Sequence, residues 1–136
     1  MKTINQLIIT MMICLFSIQA WAQSGKLFNT DNQLSSNLAT QVFQDKSGFI
    51  WIATRNGLNT YDGYNITVIK KDMSNFLGLN SNYINSIAQD EKEHILLGTN
   101  NSLLEFTGSE FLKIPMLDSK GEELATYVKQ VYPLKN

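Results

Sequence analysis

Four short runs of strand-type residues follow one another between residues 40 and 69, and turn residues separate them. The first two runs are rich in β-branched and aromatic residues, whereas the last alternates apolar and polar residues, which is typical of a strand with one face in water. The dipeptide Asn56-Gly57 favours a type I′ hairpin because both residue types accept positive φ. The pattern predicts antiparallel strands at residues 40–44, 49–54, 58–61 and 64–69.

The second run, residues 49–53, is apolar on both faces, and so is its counterpart at residues 95–98. Such a strand has to be covered on both sides, which a lone antiparallel sheet does not provide. A four-stranded sheet stacked between two similar sheets buries both faces. The pattern therefore favours a layered, all-β architecture.

The chain contains an internal repeat with a period of 45 residues. Residues 34–69 align without a gap with residues 79–114, and eleven positions are identical. Four strands per unit and a period near 45 are typical of β-propeller blades. A third unit begins near the end of the chain, where Val128 and Val131 match Ile84 and Ile87 at a spacing of 44.

The fold class that these patterns predict is all-β: a partial β-propeller of about two and a half four-stranded antiparallel blades after a signal peptide. Residues 26–29 are a candidate outer strand that would close a ring by pairing with a last blade. Because the third unit stops in mid-hairpin, we expect the propeller to continue beyond this sequence. The expected division is 1–22 signal peptide, 23–33 lead-in with the ring-closing strand, 34–78 blade 1, 79–123 blade 2 and 124–136 the start of blade 3.

The first 22 residues have the three parts of a secretory signal peptide. Lys2 supplies the basic start, residues 7–18 the apolar stretch, and residues 20–22 an A-x-A cleavage site. A membrane-spanning helix needs about 20 apolar residues, so this stretch is too short to favour the alternative of an uncleaved anchor. We expect an exported, periplasmic protein whose membrane contact is made through the signal peptide alone.

Composition and motif content argue against several classes of function. The formal net charge is -1 and the basic residues are scattered, so the sequence carries no electrostatic footprint for nucleic acid. The single cysteine, Cys14, lies in the signal peptide, and the mature chain would have neither a disulfide nor a thiolate ligand. Phosphate-binding loops, nucleophile elbows and zinc-ligand spacings are absent from the sequence. We expect no catalytic residues, no cofactor and no metal.

The acidic residues and the one histidine are interpreted as turn and surface residues. Asp45 and Asp90 occupy equivalent turn positions, where an Asx-type bond to the turn backbone is favoured over a glycosidase carboxylate pair. His94 follows the second turn and lacks the helical or cleft context of a phosphoacceptor or a general base, so we expect it to be solvated. The remaining acids are expected to be solvated or to bind cations weakly: Glu91, Glu93, Glu122 and Glu123.

Aromatic and loop residues supply the candidates for ligand contact. Trp51 is expected to anchor the core rather than to stack on a sugar, because it lies within a fully apolar run. Ala53 and Gly98 are small at the same repeat position, which predicts close packing. Ligand-binding residues often lie on loops that a rigid scaffold holds in place. The candidate ligand-binding residues are therefore those of the hairpin loops: Arg55, Asn56, Asn100 and Asn101. A role in the turns alone would also explain the asparagines.

Residues 34–37, 45–58 and 61–63 closely resemble the two-component regulator propeller repeat, and the second copy is similar with Leu96 in place of Trp51 and Ser102 in place of Gly57. The resemblance implies the periplasmic sensor region of a hybrid two-component histidine kinase that senses saccharides released from polysaccharides. It also implies that kinase activity belongs to a region outside this sequence.

The function expected from the resemblance is the N-terminal part of a ligand-sensing propeller, with an oligosaccharide as ligand and the remaining blades of the same or another chain as partners. Three alternatives stay open. They are a free-standing periplasmic module that binds carbohydrate or protein, a non-functional truncated product, and a propeller enzyme for which the sequence offers no residue set.

Overall fold

A computed structural model describes residues 4, 6, 25–71, 78–124 and 126–133 of the chain. A short 3-10 helix, Thr30–Asn32, precedes two four-stranded antiparallel sheets. Each sheet is a simple meander in which consecutive strands are neighbours. The strands are β1 (Ala39–Gln44), β2 (Ile50–Thr54), β3 (Gly57–Tyr61) and β4 (Ile66–Ile69) in the first sheet, and β5 (Ile84–Gln89), β6 (Ile95–Thr99), β7 (Leu103–Phe106) and β8 (Phe111–Ile114) in the second.

This architecture confirms the all-β fold of consecutive four-stranded blades. The four strands of the first sheet fall on the four runs that the sequence pattern predicts, with ends that differ by one or two residues. The predicted signal peptide lies almost wholly outside the described residues. Within the part of the chain that the structure describes, no helix is long and apolar enough to cross a membrane.

The β2–β3 turn differs from the predicted type I′ hairpin. Thr54 pairs with Gly57, so the central residues of the turn are Arg55 and Asn56, and the positive φ of 135° occurs one residue later at Gly57. The Thr54 hydroxyl stabilises this different turn. It accepts a bond from the Asn56 amide (3.0 Å) and donates to the Gly57 carbonyl (2.7 Å). Thr99 makes the equivalent bonds in the second sheet, to Asn101 and Ser102.

The first strand of each sheet contains an irregularity at the same repeat position. Register shifts occur between Ala39 and Gln41 in β1 and between Ile84 and Ser86 in β5. The residue inside the first shift, Thr40, turns its hydroxyl to the Ile84 carbonyl of the second sheet (2.6 Å). A β-bulge re-aims a side chain in this way. It thereby links one blade to the backbone of the next.

A second link joins the same two strands. Gln41 donates from Nε2 to the Ile87 carbonyl (3.0 Å) and accepts from the Ile87 amide at Oε1 (2.8 Å). The edge of β5 that faces away from β6 is therefore bonded by a side-chain amide rather than by another strand. Backbone groups on a sheet edge need such partners when water is excluded.

The core lies between the two sheets. Its central residues come from both repeats, and Leu58, Ile84 and Leu97 among them are fully buried. Strand β2 is buried at four of its five positions, as is β6, in agreement with their predicted coverage on both faces. The core cluster comprises Trp51, Ala53, Leu58, Ile69, Leu79, Ile84, Ile87, Ile95, Leu97, Leu104 and Phe111.

Close packing at the small residues is also confirmed. Ala53 has no exposed surface, and Gly98 is buried. A Cβ atom placed on Gly98 would lie 2.5 Å from the Ser86 hydroxyl oxygen and 2.9 Å from the Val128 carbonyl oxygen. The backbone of Val128 can therefore approach the second sheet this closely only because residue 98 is glycine.

The segment 126–133 lies against the second sheet without forming a strand. The Val128 amide donates to the Thr99 carbonyl (2.9 Å), and Asn85 donates to the Val128 carbonyl (3.0 Å). Asn85 is the repeat equivalent of Thr40, so this bond reproduces the link from the first sheet to Ile84. Val128 thus occupies the position that the 44-residue spacing assigns to it.

The lead-in to the first sheet is irregular over residues 25–29, where the sequence suggested an outer strand. Phe28 contacts Tyr61 of β3 edge-on, with ring centroids 4.9 Å apart, and the Lys26 ammonium donates to the Tyr61 hydroxyl (3.3 Å). The segment therefore packs on the first sheet. Its pairing with a last blade stays a prediction, as do the division boundaries.

Candidate functional site

The two ends of the sheets carry different chemistry. The turns β2–β3 and β6–β7 lie at one end, which we call the loop face, and this face carries all four predicted ligand contacts. The turns β1–β2 and β5–β6 lie at the opposite end, beside a groove between the two sheets.

On the loop face, Asn56 and Asn101 hold the turns in which they lie. The Asn56 side chain donates to the Ser35 carbonyl (3.4 Å), and Asn101 donates in the same way to the Asn80 carbonyl (3.4 Å). Because Ser35 and Asn80 are also repeat equivalents, the two bonds are one structural device used twice. Both asparagines are nevertheless exposed.

The neighbouring positions, Arg55 and Asn100, differ between the repeats. The Arg55 guanidinium lies over the Tyr83 ring, 5.6 Å from its centroid, and Arg55 is exposed. Asn100 accepts a bond from the Asn85 amide (3.2 Å) and is half-buried. The loop face therefore presents a guanidinium, an aromatic ring and several amides on two rigid turns. Whether these residues bind a ligand stays a prediction.

The groove at the opposite end was not predicted from the sequence. It has a volume of about 560 Å³ and is lined by residues of both sheets, among them Asp45, Phe49, Trp51, Gln89, His94 and Phe106. Its walls mix apolar rings with carboxylate, amide and imidazole groups. Concave sites of this size and composition are typical of small-molecule binding.

Trp51 is confirmed as a core anchor. Only 6% of its surface is exposed, and its ring meets Phe106 of the second sheet edge-on, with centroids 5.7 Å apart. Its indole nitrogen donates to Oδ2 of Asp45 (2.7 Å), which satisfies the one polar atom of the ring.

The Asx-type bonds predicted for the two aspartates are present. Oδ1 of Asp45 accepts from the Phe49 amide (2.9 Å), and Oδ1 of Asp90 accepts from the His94 amide (2.8 Å). The turns also share a left-handed residue, which is Gly48 with φ 92° in the first repeat and Glu93 with φ 70° in the second. The two carboxylates therefore have the same local role, as expected for repeated residues.

His94 departs from the solvated role that the sequence suggested. It is half-buried, and its Nδ1 lies 2.7 Å from Oε1 of Glu105 and 3.8 Å from Oδ2 of Asp90. The reason is tertiary, because β7 places Glu105 beside the start of β6. Glu105 was not singled out in the sequence. Comparing the repeats would have found it, since His94 and Glu105 replace Phe49 and Thr60 of the first repeat.

These three side chains form a group of potential metal ligands, which we call the Asp90–His94–Glu105 cluster. One ligand atom from each residue lies within 4.8 Å of the other two, and all three residues are partly buried. The sequence predicted no metal site, because the ligands are not spaced as in a recognised motif.

The other acidic residues are exposed, as predicted. Glu93 pairs with Lys46 at 3.9 Å, and Glu123 pairs with Lys113. Glu122 is exposed on a turn in which its amide donates to Asp118 (2.9 Å). Surface ion pairs of this kind contribute little to stability.

The two-component regulator propeller family matches two segments of the chain, residues 33–56 and 78–101. The segments correspond to one another in the 45-residue repeat, and each runs through the first two strands of a sheet. The chain therefore carries two-component regulator propeller repeats. No curated protein matches it.

Two solved structures with a similar fold are extracellular domains of regulatory systems. BT3049 of B. thetaiotaomicron, assigned to a hybrid two-component system, matches 76% of this chain with a TM-score of 0.62 and 24% identity. BT4673 of the same organism, assigned likewise, matches 63% with a TM-score of 0.55 and 20% identity. The chain spans only 15% and 12% of these domains, so the likeness shows the fold of its sheets.

Proposed function

We propose that this chain contributes its blades to an exported, ligand-sensing propeller of a hybrid two-component system, and that the ligand is an oligosaccharide. The observation that carries the proposal is the presence of two successive regulator propeller repeats, each folded as a complete four-stranded sheet and packed on the other. The extracellular location of the matched domains supports export, together with the predicted signal peptide. The role is binding and not catalysis.

A sensor propeller needs a rigid platform, and the contacts between the two sheets supply one. Gln41 and Thr40 bond side chain to backbone across the interface, and Trp51 packs edge-on against Phe106. Loops mounted on such a scaffold keep their geometry when a ligand arrives. Binding therefore does not have to order the loop face first, which lowers its entropic cost.

The chemistry of the loop face suits a neutral, hydroxyl-rich ligand. Side-chain amides such as those of Asn56 and Asn101 both donate and accept hydrogen bonds, as sugar hydroxyls do. Arg55 adds five donors in a planar fork, and its contact with Tyr83 holds that fork in place.

Isothermal titration calorimetry of the full chain against a panel of oligosaccharides from plant and microbial polysaccharides tests the proposal. Binding of at least one oligosaccharide is expected, and Arg55→Ala should weaken it about tenfold or more, which corresponds to the loss of one charge-assisted bond. Lys46→Ala is the matched control, because Lys46 is an exposed cation at the opposite end of the sheets. It should leave the affinity unchanged.

Two results would contradict the proposal. The first is the absence of binding across the panel at millimolar concentrations. The second is loss of binding in Lys46→Ala with full affinity in Arg55→Ala, which would move the ligand to the groove. In the source organism, an in-frame deletion of residues 34–114 should abolish the transcriptional response to the saccharide identified.

A further inference from the structure

The Asp90–His94–Glu105 cluster brings one nitrogen and two oxygen ligands together from three parts of the second sheet. Asp90 follows β5, His94 precedes β6 and Glu105 lies in β7. The ligand atoms are Nδ1 of His94, Oδ2 of Asp90 and Oε1 of Glu105, all within 4.8 Å of one another. His94 also lines the groove, so the cluster has one side open to it.

The distances are close to those of a metal site. Zinc binds nitrogen and oxygen ligands at about 2.0–2.2 Å, so two ligand atoms of a tetrahedral site lie about 3.4 Å apart. To reach that value, the His94–Glu105 separation of 2.7 Å would have to open by about 0.7 Å and the His94–Asp90 separation of 3.8 Å to close by about 0.4 Å.

The first repeat shows that the turn does not need these ligands. Asp45 holds its turn through Oδ1 just as Asp90 does, but its Oδ2 is taken by the Trp51 indole. In the second repeat Leu96 replaces Trp51, so Oδ2 of Asp90 has no indole donor. It faces the imidazole of His94 instead, at 3.8 Å.

Two further differences fall at the same place. His94 replaces Phe49 and Glu105 replaces Thr60, so that every ligand beyond Asp90 is specific to the second repeat. The second repeat therefore lacks the indole donor and has gained an imidazole and a carboxylate at the same place. Together these differences add an imidazole and a second carboxylate beside the aspartate of the turn, so that three potential metal ligands lie together.

We propose that the Asp90–His94–Glu105 cluster binds one divalent transition-metal ion of the zinc type, with its remaining coordination position open to the groove between the sheets. A mixed set with one imidazole suits zinc and its first-row neighbours. Calcium and magnesium prefer six or more oxygen ligands, which the cluster does not provide. The open position would take water or an oxygen ligand that enters the groove.

Zinc titration of the full, tag-free chain tests the site, with calcium and magnesium as comparison ions. Binding of one zinc ion per chain is expected by isothermal titration calorimetry, with calcium and magnesium at least tenfold weaker. His94→Phe and Glu105→Thr restore the residues of the first repeat, and each should weaken zinc binding tenfold or more. Glu93→Gln is the matched control, since Glu93 is exposed and lies outside the cluster; it should bind zinc like the parent chain.

Near-ultraviolet circular dichroism of the Trp51 environment reports whether each variant is folded. His94→Phe and Glu105→Thr lie on different elements, so one folded variant suffices for the comparison. The proposal is overturned if the parent chain binds no zinc at 1 mM. It is also overturned if a folded cluster variant binds zinc like the parent, or if calcium binds as tightly as zinc. None of these results depends on a saccharide, so they leave the sensor proposal unaffected.

Discussion

The side chain of Gln41 offers a direct test of how the two blades are held together. Gln41 bonds through both of its amide atoms to the backbone of Ile87, at 3.0 Å and 2.8 Å. Replacing Gln41 by Met keeps the length of the side chain and removes both bonds. Ile87 is 2% exposed, so water has poor access to the backbone groups that would lose their partner.

The expected loss of stability follows from the two bonds. A hydrogen bond within a protein contributes about 0.5–1.5 kcal/mol net, and an unpaired buried group costs about 1–3 kcal/mol. We therefore expect Gln41→Met to lower the free energy of unfolding by about 2 kcal/mol. For a domain of this size the melting temperature should fall by about 8–16 °C.

Gln41→Glu separates the two bonds. The introduced carboxylate can still accept from the Ile87 amide, but at neutral pH it sets an oxygen against the Ile87 carbonyl. Protonation restores the donor, so this contact raises the pKa of the carboxyl in the folded state. The destabilisation should be present above that raised pKa and should diminish as the pH falls through it.

Denaturant unfolding and amide hydrogen exchange provide the measurement. Gln44→Met is the matched control, because Gln44 lies on the same strand, is exposed and makes only a bond of 3.4 Å to Gly48. Gln41→Met should also accelerate exchange of the Ile87 amide. A loss below about 0.5 kcal/mol, or one equal to that of Gln44→Met, would refute the idea that this side chain holds the blades together.

Three further predictions concern single positions. Gly98→Ala should cost about 1–3 kcal/mol and speed exchange of the Val128 amide, because the new Cβ would lie 2.9 Å from the Val128 carbonyl; an unchanged melting temperature would contradict this. Glu93→Gly should stabilise the chain by up to about 1 kcal/mol, since φ at this turn is 70°, and any loss in chemical denaturation would argue against it. Backbone bonds from Asn65, then Tyr64, lower the pKa of Asp62, so its contribution to stability should be complete above the ordinary aspartate pKa and lost as the pH falls through the lower folded value. An NMR titration of Asp62 at or above the ordinary value would disprove that shift.

Much of the fold was accessible from the sequence because it depends on local interactions. Turn residues and alternating patterns located the strands, and a period of 45 residues identified the blades. The bonds of Asp45 and Asp90 span four residues, so a turn is enough to form them. The burial of Trp51 was predictable for a similar reason, since a run that is apolar on both faces has to be covered.

The candidate sites depend on contacts that no local pattern specifies. Gln41 meets Ile87 across 46 residues, and the groove exists only because two sheets pack with their hairpin turns side by side. His94 could not be assigned a partner from its own surroundings, because Glu105 reaches it from a different strand. The β2–β3 turn differs for a local reason: the Thr54 hydroxyl bonds to Asn56 and Gly57, two and three residues further on, and these bonds override the preference of the Asn56-Gly57 pair.

The sequence by itself therefore determined the repeat, the strands and the fold class, since these follow from spacing and from short-range physics. Only the tertiary structure decided which polar groups meet. It turned a histidine that seemed to belong to a solvated turn into one member of a three-ligand cluster, and it revealed the amide that joins the blades. The physical reason is that side-chain chemistry acts over about 3 Å, whereas the residues that supply it here are separated along the chain by as many as 46 positions.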